Sequence, residues 1–488
     1  MEQCASTLLA FPPQSDFVDN ESYHKAASFH IAQLLKILRE RNRDLVAYSH
    51  ELFNLVDPAV NSLSYLAILH AVMFPSFASN LPQIFILEQI TTFMMSFDGR
   101  QCRYAGSLLL DLMDAVGSGR ILPPRVAVNC LARSILTLDA SGTMLTSSHL
   151  PLVKLAYDTN NMEPALHVIE KEIVFFPGMS NHETAQYLCD TTLSPPSYIS
   201  RNTGLTARLK SATVLEYDLM CGMIYSVRRE WEKAREAFGR VVSFPTKETG
   251  CSKIMIEAFK KWVLVSLLSE GNLPTTSPPH VSASTTRIFG TLCRPYVDLA
   301  MAFETNDAQQ LKSDVEKHTQ VWSDDGNIGL VEEVIASYQK WRVLSLQDIY
   351  TEISIPEIRQ QTKSAETGEI LKTDEDVEAL IQNMIIDGML KGVIEKNDDG
   401  TNFLIFLSPT THLSEQEFDE EAVRAGIKLD RLRAVLGTTN ERLGSSKEYI
   451  KWITKEIKRD KSGESQDPTL GFESQIDDED LMGRVPSI

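Results

Sequence analysis

Apolar residues recur along the first two-thirds of this chain with the period of a helix. Ile31, Leu34, Leu35 and Leu38 stand at i, i+3, i+4 and i+7, which places them on one helical face. Similar short amphipathic segments follow, separated by breakers such as Pro123-Pro124 and Ser194-Pro195-Pro196. Alternating, strand-like patterns are scarce over the same stretch. Many helices with short breaks predict stacked helical pairs, and such stacks show themselves as an internal repeat.

One segment carries that signal. Gly222, Tyr225, Ala234 and Phe238 are spaced like the small and large positions of a tetratricopeptide repeat. Gly222 and Ala234 let two antiparallel helices approach, and Tyr225 and Phe238 fill the volume beside them. The pattern is degenerate: the early Trp position falls on Asp218, and Pro245 comes one residue early. A weaker copy has Ala165, Ile169 and Pro177 but no glycine. Gly271 to Thr286, rich in Pro, Ser and Thr, reads as a surface connection, and the helical pattern then resumes through Trp341.

The pattern changes after Leu344. Ser345 to Asp348 reads as a capping box, starting a helix with Leu346, Ile349, Tyr350 and Ile353 on one face and Pro356 as its stop. A polar stretch, Gln360 to Lys372, follows. Thr373 to Asp376 is a second capping box, for a helix with Val377, Leu380, Ile381 and Met384 as its apolar stripe and Gly388 at its end. Val393-Ile394 and Phe403 to Leu407, joined through Asp399-Gly400, predict a hairpin. Helix, helix, hairpin is the order of a winged helix, and its strands can leave an open sheet edge that accepts a strand from another chain.

Beyond the hairpin, Leu429, Leu436, Leu443, Ile450 and Ile457 recur every seven residues, with Leu432 and Ile453 between them. Thr439 and Ser446 interrupt the seam, and Gly437 and Gly444 weaken its continuity. An ordinary amphipathic helix pair and a partner-binding bundle helix both fit. After Asp460 the chain holds seven acidic residues against Lys461 and Arg484, the composition of a disordered acidic tail.

Charge and motifs narrow the function. Forty-seven Lys and Arg against 66 Asp and Glu give a formal net charge of -19. Affinity for phosphate backbones and anionic lipid rests on basic residues, so nucleic-acid and membrane partners are not expected. The would-be recognition helix holds Asp374, Glu375, Asp376, Glu378 and Asp387 and no base before Lys391, which argues against a DNA-reading regulator. No phosphate loop, nucleophile elbow or His-Glu-x-x-His motif occurs, so no catalytic, metal or cofactor site and no small-molecule substrate are expected. Seven scattered cysteines without a C-x-x-C read as reduced, mostly buried thiols. The start lacks a signal-peptide pattern and no apolar run approaches bilayer length, so the expected location is nucleus and cytoplasm.

A helical-repeat arm leading into an acidic winged helix resembles the PCI-domain family, whose members serve the proteasome lid, the COP-nine signalosome and translation initiation factor three. The residues that carry the resemblance are Gly222 to Tyr225, then His318, Trp322, Asp325, Asn327, Gly329, Leu330 and Val331, then Leu344 to Ile349, and Met384, Ile385, Asp387 and Gly388. They look most like the signalosome branch, over roughly residues 210–410; the first 200 residues fit only in helical character. The implied fold is mostly α: N-terminal helical repeats over 1–205, a TPR-like helical part of the PCI domain over 206–343, a winged helix over 344–410, C-terminal bundle helices over 411–460 and the acidic tail from 461. The implied function is a non-catalytic scaffold subunit of the complex that removes a ubiquitin-like modifier from cullins, with the other two complexes as alternatives. Family members pair winged helices side by side and bundle their C-terminal helices. That points to Phe403, Leu404, Ile405, Phe406 and Leu407 as one interface with neighbouring subunits. Leu429, Leu432, Leu436, Leu443, Ile450, Ile453 and Ile457 form the other.

Overall fold

Short amphipathic segments separated by breakers become short antiparallel helices in the computed structural model, which describes residues 2–13, 19–75, 82–177, 186–245, 251–272, 281, 283–396, 400–407, 415–445 and 447–462. The acidic tail expected beyond 461 lies, from 463 onward, outside the described residues. The chain divides into two compact units, 1–423 and 424 onward. No described helix is long and apolar enough to cross a membrane.

The helix Asn20–Glu40 shows how the pattern works. Asp19 caps it by accepting from the Ser22 backbone N–H at 2.8 Å. Leu34 is buried, while Ile31, Leu35 and Leu38 pack partly buried against the same core. The helix Ser62–Met73 is apolar all round and buries residues on every face, as a central helix must. Pro124 and Pro195 open the helices Pro124–Leu138 and Pro195–Tyr198. The missing N–H of proline costs nothing in a first turn, where N–H groups have no helical partner.

The repeat hairpin is formed by Ser211–Val227 and Trp231–Val242. Its small residues do the work their spacing implies: a Cβ on Gly222 would stand 2.5 Å from Phe238 Cε1. Ala165 and Ile169, from the weaker copy, are buried on Glu163–Ile169. Surface ion pairs link these hairpins, Arg228 to Glu163 at 2.5 Å and Lys233 to Glu170 at 3.0 Å. Within the expected connection Gly271 to Thr286, the last four residues belong to the helix Ala283–Leu292. Ser and Thr, read as loop-forming, are also good helix starters.

The segment after Leu344 corrects the sequence reading. Helix Ile328–Ser345 runs on to Ser345, and Leu346–Asp348 is a single 3-10 turn. A strand, β1 (Glu352–Ser354), follows, and Pro356 sits in the first turn of the helix Ile355–Gln361 instead of ending one. Leu346 and Ile353 are buried as expected, but Ile349 is exposed. A turn followed by a strand reproduces part of a helical spacing. The second capping box forms as read. Thr373 accepts from the Asp376 N–H, and Asp376 from the Thr373 N–H, each at 3.2 Å, opening Asp374–Ile386. Gly388 ends that region with φ +73°, the left-handed conformation glycine adopts without a Cβ penalty.

The hairpin strands are β2 (Gly392–Lys396) and β3 (Asn402–Phe406), paired antiparallel with Ile394 opposite Leu404. β1 pairs antiparallel with the other side of β3, Ile353 opposite Leu404, so the sheet order is β1-β3-β2. Val343, Leu346, Ile353, Ile355, Ile358, Val377, Ile381, Met384, Leu390, Leu404 and Phe406 form a core of their own, distinct from that of the helical arm.

At the C-terminus, Glu415–Ser445 is one helix of 31 residues and Lys447–Ser462 another. Gly437 and Gly444 lie inside the first of these without breaking it. A single glycine costs about 1 kcal/mol relative to alanine, which a long helix tolerates.

Candidate subunit-docking surfaces

Asp325 and Asn327, singled out by their spacing, sit at the centre of a polar network that fixes how the arm ends. Lys260 donates to Asp325 Oδ1 at 2.5 Å, and the Tyr296 hydroxyl donates to Asp325 Oδ2 at 2.8 Å. Asn327 Nδ2 donates to the Tyr296 oxygen at 2.8 Å. Buried Lys261 donates to Asn327 Oδ1 at 2.5 Å and pairs with Glu257 at 2.8 Å. Burial pushes the Tyr296 phenol well above its ordinary range, so it keeps its proton and remains a donor. Trp322 packs edge-on against Tyr296 at 4.8 Å between ring centres, and its Nε1 donates to the Val315 carbonyl. Three helices are joined by these few side chains: Lys253–Glu270, Arg294–Glu304 and Ile328–Ser345.

The last of them carries the module. Val331, Val334 and Tyr338 lie in the arm's core, and Val343, five residues after Tyr338, lies in the core of the small sheet. Arg342 donates to the Phe303 carbonyl at 3.2 Å and to Asn306 Oδ1 at 2.7 Å, satisfying the end of Arg294–Glu304. Tyr338 donates to the Thr305 carbonyl at 2.8 Å. The polar link after Gln360 is anchored too: Ala365 is buried in the arm's core and Lys312 donates to the Thr367 carbonyl. A stretch that reads as a loose insertion therefore pins the module from a second side.

Two sets of residues were expected to meet neighbouring subunits. Phe403, Leu404, Ile405 and Phe406 form the central strand, with hydrogen-bonded neighbours on both sides. Their backbone is therefore not an open edge, which corrects the expectation for this strand; Leu407, just beyond it, donates its N–H to the Lys391 carbonyl. The three-residue β1 occupies the side that the hairpin alone would leave free. The outer strands are β1 and β2, and β2 presents exposed Val393, Glu395 and Lys396.

The C-terminal seam is placed differently. Leu429, Leu432 and Leu436 are 56, 49 and 59% exposed on Glu415–Ser445, and Ile450 is 51% exposed on Lys447–Ser462. Ile453 is half-buried, and the side chains of Leu443 and Ile457 lie outside the described residues. Sequence reading missed Phe418, 62% exposed. It stands eleven residues before Leu429 and fourteen before Leu432, on the same helical face. It also missed Ile386, 79% exposed. This side chain lies nine residues from Val377, half a turn off the buried stripe.

The acidic face of the module is less free than its formal charge suggests. Asp374 pairs with Arg359 at 3.1 Å, Asp376 caps its own helix, Glu378 accepts from Asn402 at 2.8 Å, and Asp387 faces Lys340 at 3.7 Å. Among the described residues no group of three or more His, Cys, Asp or Glu converges as a metal site. The seven cysteines are unpaired and all but Cys251 are buried, with burial pushing the Cys130 thiol up to about 11.

Residues 28–284 match the family model described as COP9 signalosome complex subunit 3, N-terminal helical repeats. The resemblance therefore extends well into the first 200 residues, where only helical character had been legible. The COP9 signalosome complex subunit 3 of Neurospora crassa is 38% identical over 501 residues, the full length of both chains. That of Emericella nidulans is 29% identical over 90% of this chain and 93% of its own. A mostly helical chain with this arm, matched from end to end, belongs to the COP9 signalosome complex subunit 3 family.

Proposed function

We propose that this chain is a non-catalytic scaffold subunit of the signalosome, the complex that removes a ubiquitin-like modifier from cullins, and that it works in nucleus and cytoplasm. The observation that carries this reading is the exposed apolar row Phe418, Leu429, Leu432 and Leu436 along one face of a 31-residue helix. Apolar side chains lined up at heptad spacing gain when another helix covers them, and each contributes about 1.5–3 kcal/mol once buried. Thr439 in the seam makes the helix a poor coiled coil on its own, which favours a bundle whose partners complete the contacts. The module adds a second docking surface, with the outer edge of β2 in place of β3. Its unpaired backbone groups can accept a neighbouring strand, and Glu395 and Lys396 restrict which strand that is.

The test is co-purification. Tagged wild-type chain should bring down the remaining signalosome subunits, identified by mass spectrometry. Leu432→Asp with Leu436→Asp should lose most of that set while the circular dichroism of the isolated chain stays unchanged, because both side chains are exposed. Full assembly by the double variant would remove the bundle from this reading. Co-purification with proteasome-lid or initiation-factor subunits would replace the reading altogether.

A further inference from the structure

The three-stranded sheet has a second face that belongs to neither core. Alternation along β3 turns Leu404 and Phe406 into the core of the module and Phe403 and Ile405 the other way. Phe403 and Ile405 are half-buried and are part of neither apolar cluster. The register sets their neighbours. Ile405 stands between Glu352 of β1 and Val393 of β2, and Phe403 stands between Ser354 and Glu395. Val393 is 44% exposed. Both glutamates are exposed and have no ion-pair partner among the described residues. Alternation puts Lys396 on the inner side, and Lys391, the residue before β2, borders the face at the end away from Glu395. The face is therefore an apolar centre with a carboxylate at two opposite corners.

We propose that this face docks an amphipathic helix of a partner protein, one that carries apolar residues towards the sheet and a Lys or Arg at each end of that apolar patch. The inference rests on the scaffold reading above and adds a surface of side chains to the backbone edge of β2. Charge selects the occupant. A second copy would bring the same glutamates, from a chain of formal charge -19, against this face, whereas a basic helix is drawn to it. Spacing selects the pattern. Glu352 and Glu395 are separated by two strand spacings and two residue steps, about 12 Å across the sheet. Seven residues of helix rise about 10.5 Å and return to nearly the same side, so cations at i and i+7 bracket apolar residues at i+3 and i+4.

The experiment uses the tagged full-length chain with Ser354→Cys, labelled with a benzophenone maleimide, in the complex it co-purifies with. Ser354 occupies a corner of the face without a glutamate, so the photoprobe borders the docking site without filling it. The native thiols are buried except Cys251, which is replaced by serine. Irradiation should capture a peptide of another subunit, and mass spectrometry should read in it Lys or Arg seven residues apart around apolar residues. Glu352→Lys with Glu395→Lys should cut the captured yield about tenfold. The circular dichroism of the chain should stay unchanged, since both side chains are exposed. Capture only within this chain or from a second copy overturns the proposal. So does a captured peptide without the basic pair, or an unchanged yield after charge reversal. Signalosome subunits that co-purify without any captured peptide overturn this inference alone. Capture of a peptide with the stated pattern from a protein outside the signalosome supports the docking face and overturns the scaffold reading.

Discussion

At the scale of single residues, Gly222 and Phe238 show why a degenerate repeat still folds as one. A Cβ at Gly222 would stand 2.5 Å from Cε1 and 2.6 Å from Cδ1 of a fully buried ring. Alanine there gains about 1 kcal/mol in helix propensity and loses about 1–3 kcal/mol to overpacking, so its net effect is small. Valine adds bulk without the propensity gain. Gly222→Val should therefore destabilise the chain by about 2–3 kcal/mol, read as a lower urea midpoint, and Phe238→Leu in the same chain should recover part of the loss. Additive effects of the two substitutions would refute the direct contact. This pair was legible because glycine and a large residue at fixed spacing have few other uses. The neighbouring Asp218, where the repeat pattern has Trp, was not. It pairs with Arg240 of the next helix at 2.8 Å, a partner 22 residues away that spacing alone does not select.

At the scale of elements, local chemistry was legible and long-range pairing was not. The Thr373 capping box needs only residues three apart, and it forms as read. Thr373→Ala should cost about 1 kcal/mol, because the Asp376 N–H loses its acceptor. Asp376→Ala should cost a similar amount and the double variant less than the sum, since each removes half of one reciprocal motif. Hydrogen exchange over Asp374–Ile386 measures this locally, and strict additivity would argue against reciprocity. The hairpin was legible for the same reason, as two apolar runs joined by Asp-Gly. Strand order was not. It depends on β1, three residues whose buried Ile353, with Leu346 of the preceding turn, also satisfies a helical spacing. Reading them as helix left β3 at an edge, whereas β1 and β2 pair on its two sides. The long C-terminal helix runs through Gly426, Gly437 and Gly444, because good helix formers over many turns outweigh three local losses.

At the scale of the whole molecule, the helix Ile328–Ser345 and the link at Ala365 both tie the winged module to the arm, so the stability of the arm bears on how the module is held. Two buried histidines give that arm a pH dependence. His30 donates Nε2–H to Ser64 Oγ at 2.9 Å, and that hydroxyl in turn donates to the Leu8 carbonyl. Its Nδ1 is buried without a partner, and its ring stacks on Phe11. His149 Nδ1 accepts from the Thr146 backbone N–H at 3.1 Å, which leaves the proton on a buried Nε2. Burial pushes both imidazoles down to about 4, because a charged ring would lose its hydration without gaining a carboxylate. In the unfolded chain they titrate near 6.5. Between those values the unfolded state holds protons that the folded state refuses, so stability is full above about pH 6.5 and falls as pH drops towards 4. By pH 5 each histidine should have removed about 2 kcal/mol. His149→Gln keeps an acceptor for Thr146 and removes the titration. The fall in urea midpoint between pH 7 and pH 5 should shrink by about half in that variant, and nearly vanish with His30→Gln as well. An unchanged slope in the double variant would place the acid sensitivity on other groups. Carboxylates ordinarily titrate near 4, and burial raises Asp114 and Asp218, whose proton uptake in the folded state would offset the loss instead of causing it. The window between pH 6.5 and 5 therefore separates the two, and acid loosening of this arm should begin in it.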